Sequence, residues 1–191
     1  MNTLRKDINM KRIEGGVCAA KGFTANGVHC GLRKDESRLD LAMIYSQVPA
    51  SAAAVYTTNL VKGAPILVDQ KNLADGVAQA VIVNSGNANT CNSNGVEIAE
   101  GMCRLTAEAV GIKAEDVIVA STGVIGQKLS LDPVISGMAP LAAGLSAEGS
   151  SKAAGAIMTT DTIMKEAAVE FELDGKTCHL GGISKGSGMI H

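Results

Sequence analysis

Small hydroxyl and glycine residues cluster at three places in the sequence, and these are the residues best suited to chemistry. The clusters are residues 84–87 (Asn-Ser-Gly-Asn), 121–123 (Ser-Thr-Gly) and 159–162 (Thr-Thr-Asp-Thr). Backbone N–H groups beside a glycine, together with a threonine hydroxyl, can stabilise the negative oxygen that forms when a carbonyl carbon is attacked. The same residue types are also common in turns and helix caps, so spacing alone leaves both interpretations open.

A fourth candidate is Lys185, which lies in a glycine-rich segment, residues 181–188, that reads GGISKGSG. So many glycines indicate more than a structural connection. Glycine neighbours would let the lysine ammonium approach a substrate carboxylate closely, and the alternative is a solvated loop lysine. A phosphate-binding loop is not indicated, because that motif needs Gly-Lys followed by Ser or Thr, whereas Lys185 lies between Ser184 and Gly186.

Other catalytic and metal-binding patterns are missing from the sequence. No G-x-G-x-x-G or G-x-S-x-G motif occurs where it would be needed, and the three histidines are isolated. The five cysteines are widely and irregularly spaced, which predicts buried, reduced thiols rather than disulfides or a zinc site. We therefore expect no metal and no cofactor, and we find no evident nucleophile in the chain itself.

A repeated pattern predicts how the first two clusters are positioned. The sequence VIVNSG at residues 81–86 is echoed by VIVASTG at residues 117–123. Asn94 can cap a helix that ends near Gly111, and Ser130 can cap a second helix, over about residues 131–145, with Pro133 in its first turn. Two strand–loop–helix units place both loops at the ends of neighbouring strands, which predicts a layered α/β fold.

Further strands are predicted on either side of this repeat. Asn26-Gly27 indicates a hairpin turn within residues 22–33, and apolar residues on both faces of residues 39–48 indicate a strand buried on both sides. Residues 168–173 alternate between apolar residues and glutamates, and Asp174-Gly175 predicts a turn back into residues 177–180. This hairpin should have one solvated face. We see no linker and predict one domain over residues 1–191.

Composition excludes several classes of function. Lys and Arg number 17 against 19 Asp and Glu, so no strong positive field is available for nucleic acid. Aromatic residues are 2% of the chain, so its core should be aliphatic. No apolar run approaches the roughly 20 residues of a membrane helix, and the N-terminus lacks the apolar region of a secretory signal. We expect a cytoplasmic protein that binds neither nucleic acid nor membranes.

Several segments of the sequence match a known pattern more closely than composition or spacing alone could indicate. They are residues 15–17, 21–23, 46–50, 57–59, 83–89, 121–126, 158–162 and 185–191. In this order along the chain, they resemble the ornithine acetyltransferase family of arginine biosynthesis. One departure is Cys18, where a threonine would be expected.

The resemblance implies a self-cleaving enzyme of the N-terminal-nucleophile type. Members of the family are made as one precursor that cuts itself before a threonine, and the two products stay together. This chain would be the α part, an α/β sandwich completed by a separate β chain, in an α2β2 heterotetramer. The motif that begins at Lys185 would continue through Pro-Asn-Met-Ala to the nucleophilic threonine of the β chain, whose own α-amine can act as the base.

The family's reaction is a ping-pong transfer of the acetyl group from N-acetylornithine to glutamate. Carried over to this sequence, the Thr122 hydroxyl and the Gly123 N–H would form the oxyanion hole, and Thr159, Thr162 and Lys185 would line the substrate site. The resemblance leaves open whether acetyl-CoA is a second acetyl donor. Two alternatives also remain open, namely a related acyltransferase of a specialised pathway, such as one making β-lactam compounds, and a non-catalytic binding subunit.

Overall fold

The computed structural model describes residues 10–186, which form two sheets and four helices. Seven strands are present, β1 (Met10–Ile13), β2 (Phe23–Val28), β3 (Leu41–Ser51), β4 (Val77–Asn84), β5 (Val117–Ser121), β6 (Lys165–Leu173) and β7 (Lys176–Ser184). The helices are α1 (Ala64–Asn72), α2 (Gly95–Val110), α3 (Asp132–Ala143) and α4 (Ser150–Ile157). One sheet has the order β2-β3-β4-β5 and the other the order β1-β6-β7, so the predicted α/β class is confirmed.

The four-stranded sheet is buried on both faces, as the sequence of β3 predicts. Met43 and its neighbours on one face pack against α1, α2 and α3 in a core of aliphatic and sulfur-containing side chains. Ala42, on the opposite face, packs against Ala153 and Ala156 of α4. With almost no aromatic residues, small and branched side chains fill both layers, and the expected aliphatic core is confirmed.

The repeated strand–loop–helix units fold as predicted, except that the Asn94 side chain at the start of α2 makes no capping hydrogen bond. Strands β4 and β5 are parallel and in register from Ala80 opposite Val117 to Asn84 opposite Ser121. Helix α2 ends at Val110, and the next residue, Gly111, has a φ of 72°, the left-handed conformation that glycine accepts readily. Helix α3 begins one residue later than expected, after the Ser130 Oγ accepts a hydrogen bond from the Asp132 N–H at 3.1 Å.

The predicted turn at Asn26-Gly27 is wrong, because both residues lie inside β2 and pair with β3. Instead of forming a turn, these two residues allow α3 and α4 to pack against the sheet. The buried Asn26 side chain donates a hydrogen bond to the Leu141 carbonyl at 2.9 Å. A β-carbon on Gly27 would lie 2.3 Å from the Lys152 carbonyl oxygen, so glycine allows α4 to approach the sheet closely.

Side chains of α1 close the free edge of the four-stranded sheet. The Val119 N–H of the edge strand β5 donates to the Asp69 Oδ1 at 2.9 Å, and the Asn72 Nδ2 donates to the Val117 carbonyl at 2.9 Å. Helix α1 thus supplies a carboxylate and an amide where a further strand would supply backbone groups. Burial raises the pKa of Asp69 to about 6.

The β6–β7 hairpin is confirmed, but its outward face is the apolar one. Glu166, on the inner face, accepts hydrogen bonds from Ser150 and Ser151 at the start of α4. Strand alternation therefore turns Val169 and Phe171 away from the body of the chain, and Leu180, opposite Val169, is 64% exposed.

The glycine-rich segment is partly strand, because residues 181–184 continue β7. A β-carbon on Gly181 would lie 1.9 Å from the Gly16 carbonyl oxygen, so this glycine lets the sheet contact a short 3-10 turn, Gly16–Cys18. Residues 187 and 188, together with the rest of the motif as far as His191, lie outside the described residues.

All five cysteines are free, but the prediction that all are buried is wrong. Cys18 and Cys103 are buried, Cys30 and Cys178 are partly exposed, and Cys91 is exposed. Burial raises the pKa of the Cys103 thiol to about 12. Irregular spacing could exclude a disulfide framework, but it carries no information about which thiols face solvent.

Candidate active site

The first two candidate loops meet at one edge of the four-stranded sheet. Because β4 and β5 are parallel, their carboxyl ends bring residues 84–87 and 121–123 side by side. The Thr122 N–H donates to the Asn84 carbonyl at 3.0 Å, and the Val124 N–H donates to the Gly86 carbonyl at 3.2 Å. The two loops therefore form one hydrogen-bonded unit.

Gly123 lies at the closest approach of these loops. Its φ is 137°, and a β-carbon there would lie 2.3 Å from the Gly86 carbonyl carbon. Within residues 10–186, no hydrogen bond engages the Gly123 N–H or the Thr122 hydroxyl, although the N–H groups on either side of Gly123 are both bonded. Two half-buried donors thus remain available to an external acceptor.

Arg33 connects this unit to the end of α4. Its Nε and Nη2 donate to the Ser85 Oγ at 3.2 and 3.0 Å, and its Nη2 also donates to the Met158 carbonyl. The Ser85 Oγ in turn donates to the Ala156 carbonyl at 2.5 Å. The segment that leads into Thr159 is therefore fixed to the first loop.

Arg38 holds the third cluster directly, since its Nη2 donates to the Thr159 carbonyl at 2.9 Å. Both arginines come from the connection between β2 and β3. The start of that connection is fixed by Asp40, whose Oδ1 accepts from the Cys30 N–H at 2.7 Å and whose Oδ2 accepts from the Arg33 N–H at 2.9 Å. A buried aspartate thus fixes the backbone at Arg33, the first of the two arginines.

Asp161 brings Thr159 and the Lys185 segment together. Its Oδ2 accepts from the Thr159 N–H at 3.1 Å, and its Oδ1 accepts from the Gly186 N–H at 2.5 Å and from the Lys165 ammonium at 3.1 Å. These donors, beginning with the Thr159 N–H, hold the pKa of the Asp161 carboxyl well below its usual range.

The predicted site residues fall into two connected groups and one outlier. Thr122 and Gly123 lie at the sheet edge, while half-buried Thr159 and Lys185 are linked through Asp161. The Lys185 Nζ donates to the Gly186 carbonyl at 2.9 Å. Thr162 is exposed, and no hydrogen bond of its hydroxyl occurs within residues 10–186.

No part of residues 10–186 gathers three or more His, Cys, Asp or Glu side chains in a way that could hold a metal ion. Over the same residues, none of the helices has the length and apolar character needed to cross a membrane.

Comparison with known proteins shows the family. A model described as the ArgJ family matches residues 24–191. The chain belongs to the ArgJ family. It is 46% identical to the arginine biosynthesis bifunctional protein ArgJ of Caldanaerobacter subterraneus subsp. tengcongensis and 48% identical to that of Symbiobacterium thermophilum, in each case over 95% of this chain. It spans about half the length of these relatives, 45% and 46% respectively.

Two solved ArgJ-type structures have the same fold. The crystal structure of the ArgJ protein from Bacillus halodurans matches with a TM-score of 0.89 and 43% identity, covering 97% of this chain and 98% of that one. The ornithine acetyltransferase of Mycobacterium tuberculosis, crystallised with ornithine, matches with a TM-score of 0.85 and 35% identity, covering 96% of this chain and 98% of that one. The family resemblance seen in the sequence is confirmed.

Sequence reasoning missed Arg33, Arg38 and Asp161. The arginines act on residues 52 to 125 positions away, a separation that no local pattern reveals. Asp161 lies within the third cluster, but it accepts from the N–H two residues before it, whereas in the usual aspartate turn the carboxylate accepts from the N–H two residues after it. Its second partner, Gly186, is 25 residues away and needed the structure to be found.

Proposed function

We propose that this chain is the α part of an ornithine acetyltransferase that moves the acetyl group of N-acetylornithine to glutamate in arginine biosynthesis. Family membership supports the pathway, and the structural match to a protein crystallised with ornithine supports the substrate class. The observation that carries the proposal is the pair of free donors at Thr122 and Gly123, which lie between the bonded backbone N–H groups of Thr122 and Val124.

The reaction proceeds in two acyl transfers. The hydroxyl of a threonine at the start of a separate β chain attacks the acetyl carbonyl, and the α-amine of that threonine accepts the hydroxyl proton. The tetrahedral intermediate collapses as the proton passes to the leaving amine, so ornithine departs and an acetyl-threonine ester remains. The glutamate amine then attacks this ester, the threonine hydroxyl is regenerated, and N-acetylglutamate leaves.

Each transfer passes through a tetrahedral intermediate with a negatively charged oxygen. The Thr122 hydroxyl and the Gly123 N–H are the donors that stabilise this oxygen. Because the neighbouring Thr122 and Val124 N–H groups are already bonded to the first loop, the Gly123 N–H is held in place before substrate arrives. A donor that needs no reorganisation during the reaction is the arrangement that lowers such a barrier most.

Thr159, Thr162 and Lys185 form the substrate-binding part of the site. The Lys185 ammonium is the cation for a substrate carboxylate, a group that N-acetylornithine and glutamate share, and the two threonine hydroxyls add hydrogen bonds. The structure supports Thr159 and Lys185 through their common tether to Asp161. Thr162, being exposed, would contact substrate only in the complete assembly.

In this proposal a second chain supplies the nucleophile and covers apolar surface that this chain leaves exposed. The solved Bacillus halodurans chain is matched over 98% of its length, whereas full-length relatives are matched over less than half, which supports a protein made of two pieces. The outward face of the β1-β6-β7 sheet offers apolar surface for that second piece, including Met10 at 63% and Leu180 at 64% exposure. We propose self-cleavage of one precursor and an α2β2 assembly in the cytoplasm.

Acetyl-CoA is a further candidate donor, because the relatives are named bifunctional. Such an enzyme would acetylate glutamate from acetyl-CoA as well as from N-acetylornithine. No separate cofactor is proposed.

Intact mass spectrometry of the protein made from the full gene tests this function. Two polypeptides, the second beginning with threonine, are expected. Incubation with N-acetylornithine should add about 42 Da, one acetyl group, to the second polypeptide. A parallel incubation with acetyl-CoA tests the further donor. A single uncleaved polypeptide, or a cleaved pair that gains no acetyl group from N-acetylornithine, would contradict the proposal.

A further inference from the structure

The Asp161 carboxylate joins the turn that carries Thr159 to the strand end that carries Lys185. The Thr159 N–H and the Gly186 N–H reach different oxygens of the same carboxylate, at 3.1 and 2.5 Å. The first of these bonds is local, whereas the second spans 25 residues and is the longer-range tether.

This contact is built for a carboxylate rather than being a surface ion pair. The Asp161 side chain is 2% exposed, although its lysine partner, Lys165, is 47% exposed. A β-carbon on Gly186 would lie 2.6 Å from the Asp161 Oδ1, so the absence of a side chain at residue 186 is what allows the approach. The buried Asp161 carboxylate and the Gly186 N–H are therefore suited to each other as acceptor and donor.

We propose that Asp161 is a positioning residue that fixes the separation between Thr159 and Lys185 in the substrate site. The inference rests on the proposed function, since it concerns how the two substrate-binding residues are held rather than which reaction they serve. Without the carboxylate, the strand end at Lys185 would have no bond from Gly186 to the Thr159 turn, and each would move independently.

The expected kinetic signature follows from where Asp161 acts. Thr159 and Lys185 hold parts of the substrate that do not react, so their contacts are the same in the ground state and in the transition state. Loss of such uniform binding raises KM and leaves kcat nearly unchanged. The oxyanion donors at Thr122 and Gly123 belong to other loops, and a general loss of structure would instead lower kcat and the amount of assembled enzyme.

Asp161→Asn is the decisive variant, because it keeps the shape of the side chain. Each carboxylate oxygen accepts from a backbone N–H, so whichever way the amide is turned, its NH2 group faces one of these donors. Gly186→Ala disrupts the same contact at the donor, because its β-carbon would lie 2.6 Å from the Asp161 Oδ1. Lys165→Met removes only the partly exposed ammonium and leaves both backbone bonds in place.

Asp174→Asn is the matched control, since Asp174 lies in the exposed turn at the far end of the β6–β7 hairpin. Its φ of 50° is a conformation that asparagine tolerates. All variants are made in the full-length gene, and activity is normalised to the cleaved assembly measured by mass spectrometry.

Asp161→Asn and Gly186→Ala are each expected to raise the KM for N-acetylornithine about tenfold or more with kcat within about threefold of the parent. Lys165→Met should change KM less than about threefold, because a partly exposed ion pair contributes little. A parent-like KM in Asp161→Asn, or a fall in kcat with KM unchanged, would overturn the proposal. If neither variant assembles although the parent does, Asp161 is a folding residue and the proposal is overturned.

Calorimetric titration with ornithine tests the tether separately from turnover. A parent that binds ornithine about tenfold more tightly than Asp161→Asn supports the positioning role even if the acetyl transfer itself is not observed. A parent that is inactive as a transferase refutes the proposed function, whereas equal ornithine affinities of parent and variant refute the role of Asp161.

Discussion

Replacing Asp69 with asparagine should make the protein more stable at neutral pH than the parent, with an advantage that disappears in acid. Asp69 is 8% exposed and accepts the Val119 N–H at 2.9 Å, where α1 covers the edge of β5. Burial raises the pKa of its carboxyl to about 6, against the partial opposing effect of that hydrogen bond. An asparagine oxygen can accept the same hydrogen bond without carrying charge.

The magnitude follows from proton linkage. The folded protein holds the Asp69 proton more tightly than the unfolded chain, whose pKa is near the ordinary 3.8. The free energy of unfolding therefore falls as pH rises from about 4 to about 6 and is constant above that range. A rise in pKa from 3.8 to about 6 corresponds to about 3 kcal/mol. The nearby Cys103 thiol has its pKa raised to about 12, so it stays neutral throughout.

The measurement is urea unfolding of the assembled protein, parent and Asp69→Asn, at several pH values between 4 and 8. The difference in unfolding free energy should move in favour of asparagine by about 3 kcal/mol across this range, while contributions from other groups cancel. Asp75→Asn is the control, because Asp75 accepts the Val77 N–H at 3.0 Å in an exposed position. Curves for parent and Asp69→Asn that stay parallel at every pH would refute the reasoning.

Three further substitutions test the proposed site. Thr122→Ala should raise the activation barrier by about 3 kcal/mol and so lower kcat, and Thr122→Ser should recover most of the lost rate. Equal kcat values for the two variants would exclude a role for the hydroxyl. Lys185→Met should raise the KM for N-acetylornithine in steady-state assays, and an unchanged KM would count against its carboxylate contact. Arg33→Met, which loses the bonds to Ser85 and to the Met158 carbonyl, should lower the melting temperature by a few degrees, with Arg33→Lys intermediate. Equal melting temperatures of parent and Arg33→Met would show that this connection is dispensable.

The parts of the fold that could be predicted are those set by local pattern. The β-branched runs at β4 and β5, and the glycine that ends α2, carry their own signals, and each appears where expected. Asn26 and Gly27 predicted a turn wrongly, because the same two residue types can also be needed inside a buried strand. One supplies a buried donor and the other gives a helix room to approach, and these demands come from α3 and α4, more than 100 residues away.

The β6–β7 hairpin shows a second limit of pattern reading. Alternation divides its residues correctly into two faces, but it cannot say which face meets the rest of the chain. Here Glu166 turns inward because two serines at the start of α4 donate to it, and the apolar face is left outward. An outward apolar face is costly to expose, so it agrees with the second chain that we propose.

The candidate site was predictable in its residue types and less so in its connections. Residue types alone singled out the clusters that contain Thr122, Gly123 and Thr159, together with Lys185, whereas their proposed roles came from the family resemblance and stay predictions. The parallel strands explain why the first two lie at one edge. The links that hold the groups together are long-range hydrogen bonds from Arg33, Arg38 and Asp161. Such links depend on three-dimensional proximity, which a single sequence does not reveal.

In the proposed oxyanion hole, the contact between Gly123 and the first loop sets the direction of a hydrogen-bond donor. Its neighbours, Thr122 and Val124, each donate a backbone N–H to the first loop, so the N–H between them is fixed in direction and left unbonded. That geometry needs the φ of 137° and the contact with the Gly86 carbonyl, both of which a β-carbon forbids. Gly123→Ala should therefore separate the loops and misdirect the donor together. It should lower kcat at least as much as Thr122→Ala does, and a Gly123→Ala enzyme with a kcat near that of the parent would show that this N–H does not serve the oxyanion.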